Sequence, residues 1–219
     1  MVIDAALFVP QSRPRLFVIG VRGAVPAGVR ADGPSSLWHS RALCAAYEKL
    51  PFRKEWIWWS LPHPAPRADR LEDLLEPGLS WFAAVQTRAL LSLMDPRHRA
   101  KVEAAQAAGL PVAGGVFKRT RQGEQRAEVR FDGLSGCLRT PAGGSSRQIV
   151  MLVEGRSVRA RLLSGRETAR LMGLPESYVL PAGANETYHL TGDGVVVPVV
   201  RHLVEHLLEP VLRCESSPR

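Results

Sequence analysis

Three side chains with planar donors recur at every second position near the N-terminus: Gln11, Arg13 and Arg15, within Val9-Pro-Gln-Ser-Arg-Pro-Arg15. Pro10 and Pro14 stiffen the segment, and in an extended chain alternate residues share a face, so the three side chains are expected to emerge together. Such an edge suits recognition of a base or a phosphate, and it equally suits the solvated edge of a hairpin. A second donor-rich region holds Lys118, Arg119 and Arg121, where residues 116–121 and 127–131 flank Gln122-Gly-Glu-Gln125 and predict a hairpin with a basic exposed face. DNA contact and simple solvation both account for that face. Residues 133–148, which include Arg139, Thr140 and Arg147, are rich in glycine and hydroxyls, a composition that lets backbone amides approach a phosphate or base edge.

The elements that must position these groups are punctuated by proline and glycine. Residues 2–5 read as a short strand and 16–21 as a second, buried one, with Pro10 and Pro14 keeping their link out of any ladder. Residues 22–35 have loop chemistry. Ser36 can cap a helix that Pro51 ends. Trp56-Ile57-Trp58-Trp59 has strand propensity, and packing explains these tryptophans better than base stacking does. A helix is expected over 83–94. Asp95-Pro96 starts another that Gly109 stops. Residues 149–153 return as a strand, and Ser164-Gly165-Arg166-Glu167 is a capping box whose short helix ends at Gly173. Gly192-Asp193-Gly194 precedes a valine-rich helix expected to be buried on most sides, and the residues after Cys214 form a polar tail.

With 219 residues and 45% hydrophobic content the chain can bury a core, and its net charge of +8 favours a polyanionic partner. Arg126, Arg130, Arg156, Arg159, Arg161, Arg166 and Arg170 crowd the same region as the basic residues already named and predict a basic face there. No apolar run of eighteen residues and no leader is evident, so a soluble, cytoplasmic protein without a membrane partner is expected. Cys44, Cys137 and Cys214 are odd in number and widely spaced, which fits neither a disulfide framework nor a zinc site, and no metal is expected.

Taken in order, Val9 to Arg15, Ser164-Gly-Arg-Glu-Thr-Ala-Arg-Leu-Met-Gly-Leu-Pro175 and Gly192-Asp-Gly-Val-Val-Val-Pro198 resemble the last three conserved motifs of the DNA cytosine-5 methyltransferases. The variable stretch between the first two then stands where that family carries its target-recognition domain. The resemblance covers nearly the whole chain. It implies an α/β fold: an edge hairpin (1–22) and a terminal helix (191–219) of a methyltransferase, Rossmann-like sheet, a mixed, partly irregular recognition domain (23–165), and a hinge segment (166–190). It implies that Arg15 meets the carbonyl oxygen of a flipped cytosine, with Gln11 and Arg13 buttressing it as the catalytic set. Asp193, Gly194 and Val195 would border the S-adenosyl-L-methionine pocket, and Lys118, Arg119, Arg121, Arg139, Thr140 and Arg147 would contact double-stranded DNA. Asparagine is common where Asp193 stands, and Ser164-Gly165 replaces the usual Thr-Pro.

The absences matter as much. The family's nucleophile is a cysteine after proline, yet Cys44, Cys137 and Cys214 follow Leu43, Gly136 and Arg213. Its Phe-x-Gly-x-Gly cofactor loop and Glu-Asn-Val proton donor are also missing. The expectation is a chain inactive by itself that completes an active site with an N-terminal catalytic subunit carrying Pro-Cys and the glycine loop, with a cognate restriction endonuclease system as a further candidate partner. A non-catalytic DNA-binding protein and a truncated methyltransferase remnant are the competing readings.

Overall fold

In the computed structural model, which describes residues 1–51, 53–121, 123–140 and 147–215, Val2–Asp4 (β1) pairs antiparallel with Pro14–Leu16 (β2), Val2 opposite Leu16 and Asp4 opposite Pro14. Asp4 shapes the connection: its carboxylate accepts from Ala6 N at 3.1 Å, capping a 3₁₀ turn at Ala5–Leu7, and from Arg13 N at 2.8 Å. The second strand is therefore shorter and earlier than the expected 16–21. Backbone bonding ends at Phe17, which exchanges hydrogen bonds with Met1 at 2.8 and 2.9 Å, and Leu16 and Val18 are 61% and 85% exposed instead of buried. Pro14 lies inside the ladder, which an edge strand tolerates.

Residues 22–35 are more ordered than their loop composition predicts. They contain a 3₁₀ turn at Ala27–Val29 and Arg30–Ala31 (β3), and β3 pairs with Trp58–Trp59 (β4). Arg41–Tyr47 (α1) is capped by Ser40, whose hydroxyl accepts from Leu43 N at 3.2 Å, and not by Ser36. The chain before it turns inward to bury Trp38, whose indole N–H donates to Leu61 O at 2.7 Å. Tyr47, Trp56 and Trp58 pack edge to face or tilted with centroids 4.9–5.4 Å apart, so these aromatic rings serve packing.

Ala84–Ser92 (α2) and Pro96–Ala108 (α3) follow, the latter capped by Asp95 and ended by Gly109 at φ 71°. They cover a four-stranded antiparallel sheet of Val112–Arg121 (β5), Glu124–Arg130 (β6), Ile149–Glu154 (β7) and Ser157–Leu162 (β8), in spatial order β6-β5-β7-β8. The sheet extends the expected hairpin: β5 begins four residues before 116, and β8 has no counterpart in the expectation. Two arginines in Ser-Val-Arg-Ala-Arg-Leu hide its strand pattern. Val116, Ala127, Val129, Met151 and Val153 pack there against Leu90 and Val102 of the helices and Met94 of the link between them, one of two cores among the described residues.

The other core joins the chain's two ends. After Gly165–Leu171 (α4) and Ala184–Asp193 (α5), the chain runs through Val197–Leu203 (α6), a π-helical turn at Val204–Leu208 and Glu209–Glu215 (α7). Gly192 and Asp193 thus finish α5, with Gly194 as its C-cap; they do not open the terminal helix. Only one face of that helix is buried: Val196, Val199, Leu203, Leu207 and Val211 meet Met1, Ile3, Ala5 and Val9, while Val195 and Val200 are exposed. The π turn precedes Pro210, which has no N–H for the i−4 carbonyl and whose ring would crowd it; the wider turn absorbs the mismatch.

The capping box forms as expected and does more. Glu167 accepts from Ser164 N at 2.8 Å and from Glu76 N at 2.7 Å, and Arg161 of β8 grips both its oxygens at 2.6 Å. Both partners are almost wholly buried. Burial by itself would raise the Glu167 pKa, but the Arg161 hydrogen bonds, the two backbone donors and the Arg161 charge together hold it below its ordinary value of 4.5. A depressed carboxylate pKa gives stability that is complete above about pH 4.5 and disappears as pH falls through the folded value. Glu167→Gln, which leaves the Arg161 charge buried and uncompensated, is expected to lower unfolding free energy by about 3–5 kcal/mol at neutral pH. Urea denaturation across a pH series checks this, and the gap to the wild type should narrow on acidification below pH 4.

Candidate functional site

Gln11 and Arg13 do not stand out from the chain as two exposed donors; they are 0% and 3% exposed. The alternation that aligned them is broken at Gln11, which makes a parallel bridge with Ser135 instead of lying in the hairpin ladder. Ser12 N donates to Ser135 O at 3.1 Å and Ser135 N to Pro10 O at 2.8 Å. The Gln11 amide donates to Leu171 O at the end of α4 (2.8 Å), and its carbonyl accepts from Leu138 N (3.0 Å). The Arg13 guanidinium donates to Leu138 O at 2.8 Å, Gly192 O at 2.7 Å and Gly194 O at 2.8 Å. Two side chains thus fasten the N-terminal segment, residues 135–138 and the α5–α6 junction to one another. Burial pushes the Arg13 pKa below its usual value, Cys137 opposes that and the neighbouring Arg15 reinforces it; an arginine stays protonated throughout.

Two glycine positions permit this convergence. At Gly115 a Cβ would lie 3.0 Å from Leu134 O and 3.1 Å from Ser135 Cα, so residues 134–136 cross β5 at backbone contact. At Gly192 a Cβ would lie 2.4 Å from Thr140 N, so α5 ends directly against the 139–140 backbone.

Arg15 differs from its two neighbours. It is exposed, its guanidinium 2.9 Å from Pro14 O and 3.4 Å from Cys137 Sγ. Cys137 in turn lines a cavity of about 220 Å³ with Ser12, Phe117, Gly136 and Gln148, and its charged lining is Lys118, Arg119, Arg130 and Arg139. The place of Cys137 between Arg15 and the basic cavity depends on a contact over 122 residues that no local pattern marks. Lys118 also borders a second cavity of about 350 Å³ with Arg147, whose guanidinium lies 5.3 Å from the Tyr188 ring centroid and bonds to Asn185. The six residues expected to face DNA therefore divide between places. Lys118, Arg119 and Arg139 share the first cavity and Arg147 sits at the second. Thr140 lies against Gly192, and Arg121 closes β5. The glycine-rich stretch is only partly seen, since residues 141–146 lie outside those described.

The broad basic face predicted from arginine density needs correction. Arg161 is sealed against Glu167, Arg159 bonds Glu154, and Arg170 bonds Glu176 at 2.8 and 3.1 Å and Leu74 O at 2.8 Å. Arg166 donates to the carbonyl of Tyr178 at 3.0 Å. These arginines bind the fold's own acceptors and are not aimed at a polyanion.

Asp193, Gly194 and Val195 border the hairpin, but the cleft that Val195 forms there with Ile3, Ala5, Arg13, Arg15 and Phe17 has a volume of about 10 Å³. That space is at the lower limit for one water. The described residues do not fit around an adenosyl cofactor by themselves. Among the described residues no helix is long and apolar enough to cross a membrane, and no group of three or more His, Cys, Asp or Glu is placed to hold a metal ion.

Comparison with known proteins matches residues 1–209 to the family model described as C-5 cytosine-specific DNA methylase. The chain is 34% identical over 59 residues to "Type II methyltransferase M1.ScrFI" of Lactococcus lactis subsp. cremoris, covering 27% of this chain and 15% of that protein. It is 38% identical over 58 residues to "Type II methyltransferase M.DsaV" of Dactylococcopsis salina, covering 26% and 16%. A third relative, "Type II methyltransferase M.SsoII" of Shigella sonnei, is 29% identical over 58 residues, covering 26% and 15%. The matched region thus spans about a sixth of these relatives or less.

Arg13→Ala would take this donor from the buried carbonyl of Leu138, at a cost of about 1–3 kcal/mol, and from the half-buried carbonyls of Gly192 and Gly194, at a smaller cost each. A loss of about 2–3 kcal/mol is expected in denaturant unfolding followed by tryptophan fluorescence. Arg13→Lys should recover little of it, because one ammonium cannot reproduce the planar fork that reaches both segments.

Proposed function

Because the chain belongs to the C-5 cytosine-specific DNA methylase family, we propose that it is the DNA-recognition part of a DNA (cytosine-5-)-methyltransferase, acting with an N-terminal catalytic half on a specific sequence in double-stranded DNA. The observation that carries this reading is the placement of Arg15. Its exposed guanidinium projects from a backbone locked by the Arg13 fork, beside a cationic cavity on one side and a small cleft with Val195 and Phe17 on the other. Leu16, Val18, Val195 and Val200 expose apolar side chains on the hairpin and terminal helix, a surface suited to the sheet of the catalytic half.

An enzyme that modifies a ring carbon must take its base out of the stack. Arg15 then donates to the pyrimidine carbonyl oxygen, a charge-assisted bond that holds the extruded base and offsets negative charge developing on the ring. Gln11 and Arg13 are positioning residues, because their donors are occupied inside the protein. The nucleophile, the proton donor and most of the cofactor pocket come from the catalytic half, where S-adenosyl-L-methionine would supply the methyl group. Domain limits of 1–22, 23–165, 166–190 and 191–219 fit this division of labour, and the Type II names of the relatives make a restriction-modification setting part of the proposal.

The purified chain mixed with DNA and labelled S-adenosyl-L-methionine should transfer no methyl groups, and co-purification with a catalytic half bearing Pro-Cys should restore transfer. Methylation by the chain alone would overturn the split reading. In the restored enzyme, Arg15→Ala should cut single-turnover methylation by about a hundredfold or more, the scale of losing one preorganised electrostatic donor. Duplex affinity should change far less; near-normal turnover with lost affinity would make Arg15 a phosphate contact instead.

A further inference from the structure

Residues 137–139 alternate in direction. Cys137 and Arg139 line the 220 Å³ cavity, while Leu138 between them is buried in the core. The Leu138 peptide is held at both polar atoms, its N–H by Gln11 and its carbonyl by Arg13, and the next backbone step is pressed against Gly192. Arg139 is therefore mounted on one of the most tightly held stretches of backbone near the cavity. Its guanidinium has no partner among the described residues.

Of the two other arginines that line the cavity, both are engaged, and the remaining cation, Lys118, is a point charge without a planar donor fork. Arg119 lies over the Phe117 ring at 4.8 Å and 3.7 Å from Glu128, and Arg130 is held by both oxygens of Asp132 at 2.8 and 2.5 Å. A phosphate contact needs charge but little aim, whereas base reading needs a donor fork delivered from a rigid mount. The cavity's charged groups are all donors. Guanine presents two adjacent acceptors, N7 and O6, in the major groove; adenine and cytosine present amino donors, and thymine a methyl beside its single acceptor. Cys137, two residues away on the same face, is 3.4 Å from the Arg15 guanidinium, which places the base that Arg139 meets beside the one that Arg15 receives.

We propose that Arg139 is a specificity-determining residue that donates to N7 and O6 of a guanine neighbouring the target cytosine; this rests on the DNA-methyltransferase reading above. The test is selection by the full chain from duplexes with a randomised stretch, followed by competition binding at fixed salt. Wild type should enrich a guanine next to a cytosine. Arg139→Ala and Arg139→Lys should both lose that preference by about tenfold or more, although the lysine keeps the charge and therefore most of the affinity for mixed duplex. Arg119→Ala, as a control, should weaken all duplexes evenly. A guanine preference that survives in Arg139→Lys, or an Arg139→Ala variant that weakens every duplex equally, makes Arg139 a phosphate contact and overturns the proposal. Sequence preference without guanine in the wild type also overturns it and leaves the DNA-recognition reading standing; no binding to any duplex overturns both.

Discussion

A buried guanidinium must find acceptors for its N–H groups, and Arg13 finds three carbonyls contributed by segments 125 to 181 residues distant in sequence. Because one guanidinium serves the buried Leu138 carbonyl and the half-buried carbonyls of Gly192 and Gly194, the hairpin, the 135–138 crossing and the α5–α6 junction are stabilised together. Gln11 extends the same node to the end of α4. The geometry of the site follows from it: once Arg13 is consumed internally, Arg15, two residues on, is the donor left facing outward, and Cys137 and Arg139 are carried to the cavity on either side of the anchored Leu138.

A second buried node, Arg161 with Glu167, does for the four-stranded sheet what Arg13 does for the hairpin. It ties β8 to the start of α4 and to the loop at Glu76. Between them these nodes take Arg13 and Arg161 out of solvent. Many of the chain's arginines satisfy carbonyls and carboxylates of the protein itself, so net charge overstates what is available to a phosphate backbone. Lys118, Arg119, Arg130 and Arg139 cluster around the cavity beside Arg15.

The terminal helix shows the complementary situation on the apolar side. Its buried face meets Met1, Ile3 and Val9, which closes the chain's two ends into one core, but the hairpin and the helix keep Leu16, Val18, Val195 and Val200 exposed. The adjoining cleft is too small for a cofactor. Polar clamps lie inside, a cationic cavity at one side and exposed apolar side chains at the other.

Local patterns were legible wherever the controlling interaction spans a few residues. Asp95-Pro96 and Gly109 bound α3, Ser164 and Glu167 cap α4, and glycine after Gln122 marks the β5–β6 turn, because capping and turn energetics are set within one turn of chain. The order of the three motifs likewise marked the family from sequence alone. What sequence did not determine was the use of identical residue types: Gln11-x-Arg13-x-Arg15 reads as three equivalent donors, and Ser164-Gly-Arg-Glu reads as a cap and nothing more. Only the tertiary structure decided that Gln11 and Arg13 turn inward while Arg15 stays out, that Glu167 is also an ion-pair partner, and that Gly192 ends a helix. The reason is physical: whether a guanidinium is a clamp or a contact depends on which carbonyls surround it, and those arrive from parts of the chain more than a hundred residues away.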